Sequence, residues 1–292
     1  MRDKKSYSFY GKSTKVPFFV PFIDKSDILE MKKTLDSTVL TNGPKLKQFE
    51  TAFRKITKAK FAIGVSNATA ALHLSLNAIG IKRGDEVLVP NLTFAASANS
   101  IILAGGTPVI VDVDETMNIS SNSIKKAITK KTKAIMPVHF AGLSCQMDEI
   151  KDIAKANSLK IIEDCAHAIG TKFKSKHVGT IGDAGCFSFY PTKNISTIEG
   201  GMMITNDRKI AKSVELARNH GITRTLMNRY SEGKPWEYDI REPGYNYRLD
   251  EVRATLGISQ LKKLDMLNQK RKNAFVYYNK FLSGINGLST PA

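Results

Sequence analysis

Short strand-like runs recur with helical patterns between them, and this alternation does most to limit what the chain can fold into. The first five runs are Phe61–Val65, Glu86–Pro90, Pro108–Val113, Ala134–His139 and Leu159–Asp164. Between them lie Ala68–Ile79, Ala95–Ala104, Ser121–Thr129 and Met147–Ala156, each with helical spacing. Two further runs follow, Gly185–Tyr190 and Met202–Thr205. Strands that alternate with helices predict a mainly parallel sheet covered on both faces. Seven strands predict one large α/β domain, and in such sheets ligands bind at the carboxyl ends of the strands.

The flanks read differently. Val16–Phe22 is short and extended, and Lys25–Asp36 and Lys45–Ile56 are helical on either side of the turn signal Asn42-Gly43-Pro44. Ile210–Asn219 is helical again. Thr223–Tyr247, with Trp236 and Tyr238, is a long polar and aromatic segment of the kind that serves function or meets a partner. Asp250 is placed to cap one long helix through about Phe281, with Val252, Leu256, Leu261, Leu264 and Leu267 on a broad apolar side. The expected domains are an N-terminal arm, 1–15, a large α/β domain, 16–248, and a long helix that begins a smaller C-terminal domain, 249–292.

Lys and Arg number 44 against 27 Asp and Glu, a net charge of +17. The cations are scattered, with no aromatics interleaved among them. That predicts a solvated basic surface that draws in an anionic substrate, and no nucleic-acid interface. Cys145, Cys165 and Cys186 form neither a Cys-x-x-Cys pair nor an even framework, which suits a reducing compartment. The five histidines show no metal-ligand spacing, so no metal site is expected. Met1–Lys15 is polar and basic, unlike a signal peptide, and Ile101–Val113, the best candidate for a span, is broken by glycines and a proline. The expectation is a cytoplasmic protein that does not enter a membrane.

Chemistry gathers between Gly185 and Asp207. Two apolar runs flank a polar loop that holds Lys193; Pro191 stops the first run, and Gly200-Gly201 supplies a freely rotating turn. A lysine on a rigid strand–loop–strand can be partly desolvated, which lowers its pKa and favours a neutral, nucleophilic amine. Upstream, Ser66-Asn67-Ala68-Thr69-Ala70-Ala71 joins a strand to a helix, and free N–H groups of Ala68 to Ala70 would suit a phosphate. Phe94 can lie flat on a planar ring. Asp164, an acid at a buried strand end, needs a cation such as a pyridinium N–H, and His167 can hydrogen-bond a neighbouring oxygen. Ser188 offers a hydroxyl to the phosphate and Lys193 an amine to an aldehyde. Taken singly, each has a plainer reading: a hairpin lysine, an ordinary capped helix, a core phenylalanine, a capping acid, a packed histidine. Together they describe a pocket for pyridoxal 5′-phosphate (PLP), whose ring nitrogen, phenolic oxygen, aldehyde, phosphate and ring face each find a partner.

The same residues resemble a known family. Glu163-Asp164-x-Ala166-His167-Ala168-x-Gly170, Phe187-Ser188-Phe189-x-Pro191-x-Lys193-Asn194 and Glu199-Gly200-Gly201 are similar to motifs of the DegT/DnrJ/StrS aminotransferases. So are Thr41-Asn42-Gly43-Pro44, Asn67-Ala68-Thr69-Ala70-Ala71-Leu72-His73, Pro90-x-x-Thr93-Phe94 and Gly244-Tyr245-Asn246-Tyr247-Arg248-Leu249, so that the likeness spans roughly Val16 to Leu267. The resemblance implies PLP-dependent transferase fold type I, with a seven-stranded mainly parallel sheet. It implies transfer of an amino group from L-glutamate to the keto-sugar of a nucleoside diphosphate, with a 4-keto-6-deoxy sugar the expected acceptor, in amino-sugar and polysaccharide biosynthesis. By the same resemblance Lys193 holds the cofactor covalently, Asp164 pairs with its ring nitrogen, His167 sits by its phenolic oxygen and Phe94 lies on its ring. Ala68, Thr69 and Ser188 hold the phosphate, and Asn246 reaches the cofactor phosphate of the other subunit in a homodimer with shared active sites.

Two departures stand out: Ala68 replaces the usual glycine of the phosphate loop, and the smaller C-terminal domain looks incomplete. Relatives that dehydrate sugars carry histidine where this chain has Lys193. The alternative is a non-catalytic regulator or partner subunit that binds PLP or a sugar nucleotide on the same scaffold. A nicotinamide-dependent oxidoreductase would need Gly-x-Gly-x-x-Gly after an early strand, whereas Gly179-x-x-Gly182-x-x-Gly185 comes late. Arg218, His220, Arg224, Arg229 and His139 are the candidate anion or sugar contacts.

Overall fold

Alternate side chains along each strand leave for opposite faces, and that period of two builds the central sheet. The computed structural model describes residues 17, 19–223 and 236–291. In chain order its strands are β1 (Phe61–Val65), β2 (Glu86–Pro90), β3 (Thr107–Val111), β4 (Thr132–Ile135), β5 (Lys160–Asp164), β6 (Lys172–Phe173), β7 (Lys176–His177), β8 (Ala184–Ser188) and β9 (Gly201–Thr205). Seven of them form one sheet, the number that the alternation predicts, in the order β1-β9-β8-β5-β4-β2-β3. β9 runs antiparallel to both of its neighbours, and the other pairs in this sheet are parallel. β6 and β7 make a separate small hairpin that the apolar pattern does not announce.

Helices cover both faces. They are α1 (Lys25–Leu35), α2 (Pro44–Thr57), α3 (Ala68–Ala78), α4 (Ala95–Leu103), α5 (Ser121–Ala127), α6 (Met147–Ala156), α7 (Arg208–Ala217), α8 (Glu251–Leu261) and α9 (Leu264–Leu282). On one face Leu72 and Leu76 of α3, Ile101 of α4 and Val214 of α7 pack with Val65, Val87 and Met203. On the other, Phe53 of α2 meets Phe187 edge-on at 5.1 Å between centroids and Phe189 at 5.7 Å. Farther along that face Ile124 of α5 and Ile150 of α6 close over Ile135 and Ile161. Burying an aliphatic or phenyl side chain of this size contributes about 1.5–3 kcal/mol. Among the described residues no helix is long and apolar enough to cross a membrane.

The single long helix expected after Asp250 is two helices. Asp250 does cap, its Oδ1 accepting from the Arg253 N–H at 2.8 Å, but α8 ends at Leu261. There the Lys263 N–H turns back to the Gln260 carbonyl at 2.9 Å, and its ammonium pairs with Asp24 and Asp27 at the start of α1, at 2.8 Å each. This anchor holds the break. Leu256, Leu261, Leu264 and Leu267 stay buried across it, so the apolar spacing runs on through the interruption. The expected arm, 1–15, and the middle of the Thr223–Tyr247 segment, with Arg224 and Arg229, lie outside the described residues.

α8 also completes α2. Gly43 at the start of α2 has no side chain to cap it. Glu251, 1% exposed, accepts instead from the N–H groups of Gly43 (3.0 Å), Lys45 (2.7 Å) and Leu46 (3.0 Å). A carboxylate at a helix N-terminus also opposes the positive end of the dipole. Glu251→Ala leaves these donors buried without an acceptor, and a loss of about 2–3 kcal/mol is expected from the urea unfolding midpoint. Glu251→Gln, which keeps one acceptor oxygen, should lose less.

Candidate active site

β1, β2, β5 and β8 run in one direction, so the segments that follow them meet at one edge of the sheet. The start of α3 follows β1, Phe94 and α4 follow β2, Asp164 ends β5, and Ser188 ends β8 just before Lys193.

Asp164 is 5% exposed. Its Oδ2 accepts from the Ser97 hydroxyl at 2.8 Å and its Oδ1 from the Ala166 N–H at 3.1 Å. The Ser97 hydroxyl is held in turn by Thr93 Oγ1 at 2.7 Å. Among the described residues no basic side chain hydrogen-bonds this carboxylate. The cation within electrostatic range is Lys193: burial lowers its pKa, and Asp164 opposes that shift. The loop around Lys193 is fixed by its own N–H to Tyr190 O at 2.9 Å and by the Arg271 guanidinium to Lys193 O at 3.0 Å. Burial lowers the pKa of His167, the nearby Lys193 lowers it further, and Asp164 opposes them. A neutral imidazole results, with Nδ1 accepting from the Ala141 N–H at 3.4 Å.

The phosphate end needs two corrections. The Ala70 N–H, expected to be free, is taken by Asn67 Oδ1 at 2.8 Å, which leaves the Ala68 and Thr69 N–H groups without a protein partner among the described residues. Gly200 and Gly201 do not serve as a freely rotating turn: neither has a positive φ, and Ile198 at +70° takes that role. They are glycines because a Cβ has no room. On Gly201 it would collide with the backbone of Asn67 and Ala68, so the missing side chain lets β9 press against the start of α3. Ser188 Oγ accepts from the Tyr190 N–H at 3.4 Å.

Phe94 is 76% exposed, which rules out the core alternative and leaves its ring face free. Asn246 is exposed on a segment whose neighbours bond to the end of α7, Tyr245 N–H to Ala217 O at 2.7 Å and Tyr247 N–H to Arg218 O at 3.0 Å. Ser66 at the phosphate loop donates to Tyr247 O at 2.8 Å, so this segment is tied to the loop.

Two candidate anion contacts are structural instead. Arg218 spends its guanidinium on Glu50 (2.6 Å) and the Gly64 carbonyl (2.5 Å). His139 is fully buried, donating from Nε2 to Glu163 at 3.0 Å and accepting at Nδ1 from the Cys145 N–H at 3.1 Å. Glu163 also accepts from Gly179, Ile181 and Gly182 N–H at 2.6–2.9 Å. Burial pushes the neighbouring Cys165 thiol up to about 12, so it stays protonated. His139, Glu163 and Cys165 bring three metal-ligating atoms close together, but both imidazole nitrogens and both carboxylate oxygens are already hydrogen-bonded within the protein. Sequence reasoning missed Ser97 as the partner of Asp164. The available signal was a polar pair, Thr93 and Ser97, four residues apart where the segment after β2 enters its helix.

The donor set fits PLP. A buried carboxylate with no bonded cation suits a ring N–H, a half-buried amine of lowered pKa suits an aldehyde, and two free N–H groups at a helix start suit a phosphate. The model of the DegT/DnrJ/EryC1/StrS aminotransferase family matches residues 21–292. The chain is 44% identical over 277 residues to the spore coat polysaccharide biosynthesis protein SpsC of Bacillus subtilis, covering 94% of this chain and 71% of SpsC. Helicobacter pylori PseC, an aminotransferase involved in the biosynthesis of pseudoaminic acid, superposes with a TM-score of 0.84 at 32% identity over 91% of this chain and 70% of PseC. The PLP form of Spr1654 from Streptococcus pneumoniae gives 0.84 at 33% identity, over 92% and 72%.

A lysine whose folded pKa is depressed binds fewer protons folded than unfolded, so its contribution to stability rises with pH between the two pKa values. In the cofactor-free protein Lys193→Met should therefore unfold at a higher urea concentration than the parent at pH 7. The gap should narrow as pH climbs through the folded-state pKa toward the unfolded one, which paired urea titrations at several pH values will read.

Proposed function

The chain belongs to the DegT/DnrJ/EryC1/StrS aminotransferase family, the PLP-dependent sugar aminotransferases, and we propose that it moves the amino group of L-glutamate to the keto-sugar of a nucleoside diphosphate. A 4-keto-6-deoxy sugar is the proposed acceptor. When bound, PLP supplies the electron sink for both halves of the transfer.

The protein's own groups do the rest. Lys193 would hold the aldehyde through Nζ and, as a free amine, would move a proton at the substrate carbon as general base. Its lowered pKa serves both tasks, because each needs a free amine near neutral pH. Asp164 accepts the ring N–H and keeps that proton in place, with Ser97 and the Ala166 N–H fixing the carboxylate's orientation. His167 donates to the phenolic oxygen. Ala68, Thr69 and Ser188 bind the phosphate, Phe94 covers the ring, and Asn246 reaches the cofactor phosphate of a second copy in a homodimer. The net charge of +17 favours the approach of a diphosphate-bearing substrate.

The observation that carries this reading is the pair Lys193 and Asp164: a half-buried amine and a buried carboxylate that feel each other's charge at the same sheet edge. The PLP-loaded protein should release one equivalent of 2-oxoglutarate per site from L-glutamate, and a thymidine diphosphate 4-keto-6-deoxy sugar should restore its capacity for a second. Release of none would favour the binding-only alternative. Borohydride should fix the cofactor to the peptide that carries Lys193. Lys193→Ala should lose that attachment and slow turnover by a factor on the order of 10³ or more; covalent fixation to the Lys193→Ala protein would refute the assignment.

A further inference from the structure

The fully buried pair His139 and Glu163 plays no part in the chemistry above, yet it lies directly behind the site. Side chains alternate along β5, so Glu163 and Asp164 face opposite ways. Glu163 grips the loop that carries Gly179, Ile181 and Gly182 on one side and His139 Nε2 on the other. From His139 two bonds lead back to the site. Its backbone N–H donates to Asp164 O at 3.1 Å, and its Nδ1 receives the Cys145 N–H, closing the loop 139–145.

That loop is held at several points. Asn118 Oδ1 accepts from the Phe140 N–H at 3.0 Å, and Thr171 donates to Gly142 O at 2.8 Å. The restraint keeps Ala141 at a φ of +50°, a left-handed conformation that costs an L-residue about 1–2 kcal/mol. In this conformation the Ala141 N–H meets His167 Nδ1, and the Phe140 ring lies edge-on to the imidazole at 6.0 Å between centroids.

We propose that His139, clamped by Glu163, is a positioning residue that selects the tautomer of His167. By closing the loop it holds the Ala141 N–H against His167 Nδ1, so the His167 proton is carried on Nε2 and the imidazole stands ready as a donor to a ligand oxygen. The donor's target, the phenolic oxygen of PLP, rests on the reading of the site given above; the tautomer does not.

The test separates the two. In the cofactor-free parent labelled with ¹⁵N-histidine, two-bond ¹⁵N–¹H spectra should show His167 protonated on Nε2. His177 should show the opposite tautomer, because its Nδ1 donates to Val178 O at 2.6 Å and its Nε2 accepts from the Gly170 N–H at 3.0 Å. His139→Ala should turn the His167 signal into a mixture of tautomers and weaken PLP binding about tenfold, the equivalent of ~1.4 kcal/mol. His139→Asn, whose amide oxygen can still accept from the Cys145 N–H, should restore the Nε2 tautomer and most of the affinity. Should His139→Ala fail to fold, the parent and His139→Asn spectra still decide the matter. His167 protonated on Nδ1 in the parent, or a His167 signal and PLP affinity unchanged in His139→Ala, overturns the proposal. A parent that shows the Nε2 tautomer but binds no PLP upholds the tautomer selection and overturns the assignment of its target.

Discussion

A carboxylate that ends a strand out of reach of water constrains everything placed around it. Moving such a charge out of solvent costs several kcal/mol unless donors and a cation replace the lost hydration. For Asp164 the protein supplies two neutral donors, the Ser97 hydroxyl and the Ala166 N–H. It supplies no bonded cation among the described residues, and the amine of Lys193 is itself partly desolvated, which disfavours its charged form. The deficit is what a protonated ring nitrogen removes. Binding a heterocyclic cation there is thus favoured by the same term that makes burying the carboxylate alone costly.

Glu163 and Asp164 are adjacent acids with opposite fates, and the count of donors tells them apart. Glu163 accepts from Gly179, Ile181 and Gly182 N–H and from His139, which satisfies it within the fold. A carboxylate so surrounded has nothing to offer a ligand. Asp164 is left with unused lone pairs and a charge still to be matched. The distinction comes from the backbone: the loop after β7 wraps its N–H groups around one face of β5, while the other face meets the start of α4. Adjacent positions on one strand are thereby divided between holding the fold together and holding a ligand.

Much of this was legible in the chain. The seven strands fall within a few residues of their expected places, because apolar runs bounded by Gly and Pro are local signals. Lys193, Asp164, His167 and the Asn67–Thr69 loop lie in short motifs, and the fold brings them to one edge because their strands run in parallel. What stayed hidden depends on distant partners. The break before Leu264 is held by Asp24 and Asp27, far away in sequence. Arg218 looked available for an anion until Glu50 and the Gly64 carbonyl claimed it. The reason for Gly201 is the backbone of Asn67, which no local rule can supply. Ser97 was passed over because one serine among the small and polar residues of a helix looks incidental until the strand opposite it is known.

The antiparallel strand β9 has a consequence for the newly made chain. Among the described residues β1 pairs in the sheet only with β9, with Phe61 opposite Thr205, so this edge stays unpaired until the chain has been made as far as Thr205. Closing so long a loop is entropically slow. The start of α3 is pressed into place by that same later strand, so until Thr205 is made the nascent polypeptide has β2, β3, β4 and β5 able to pair and no finished seat for a phosphate. Cofactor capture is thereby confined to molecules whose sheet has closed.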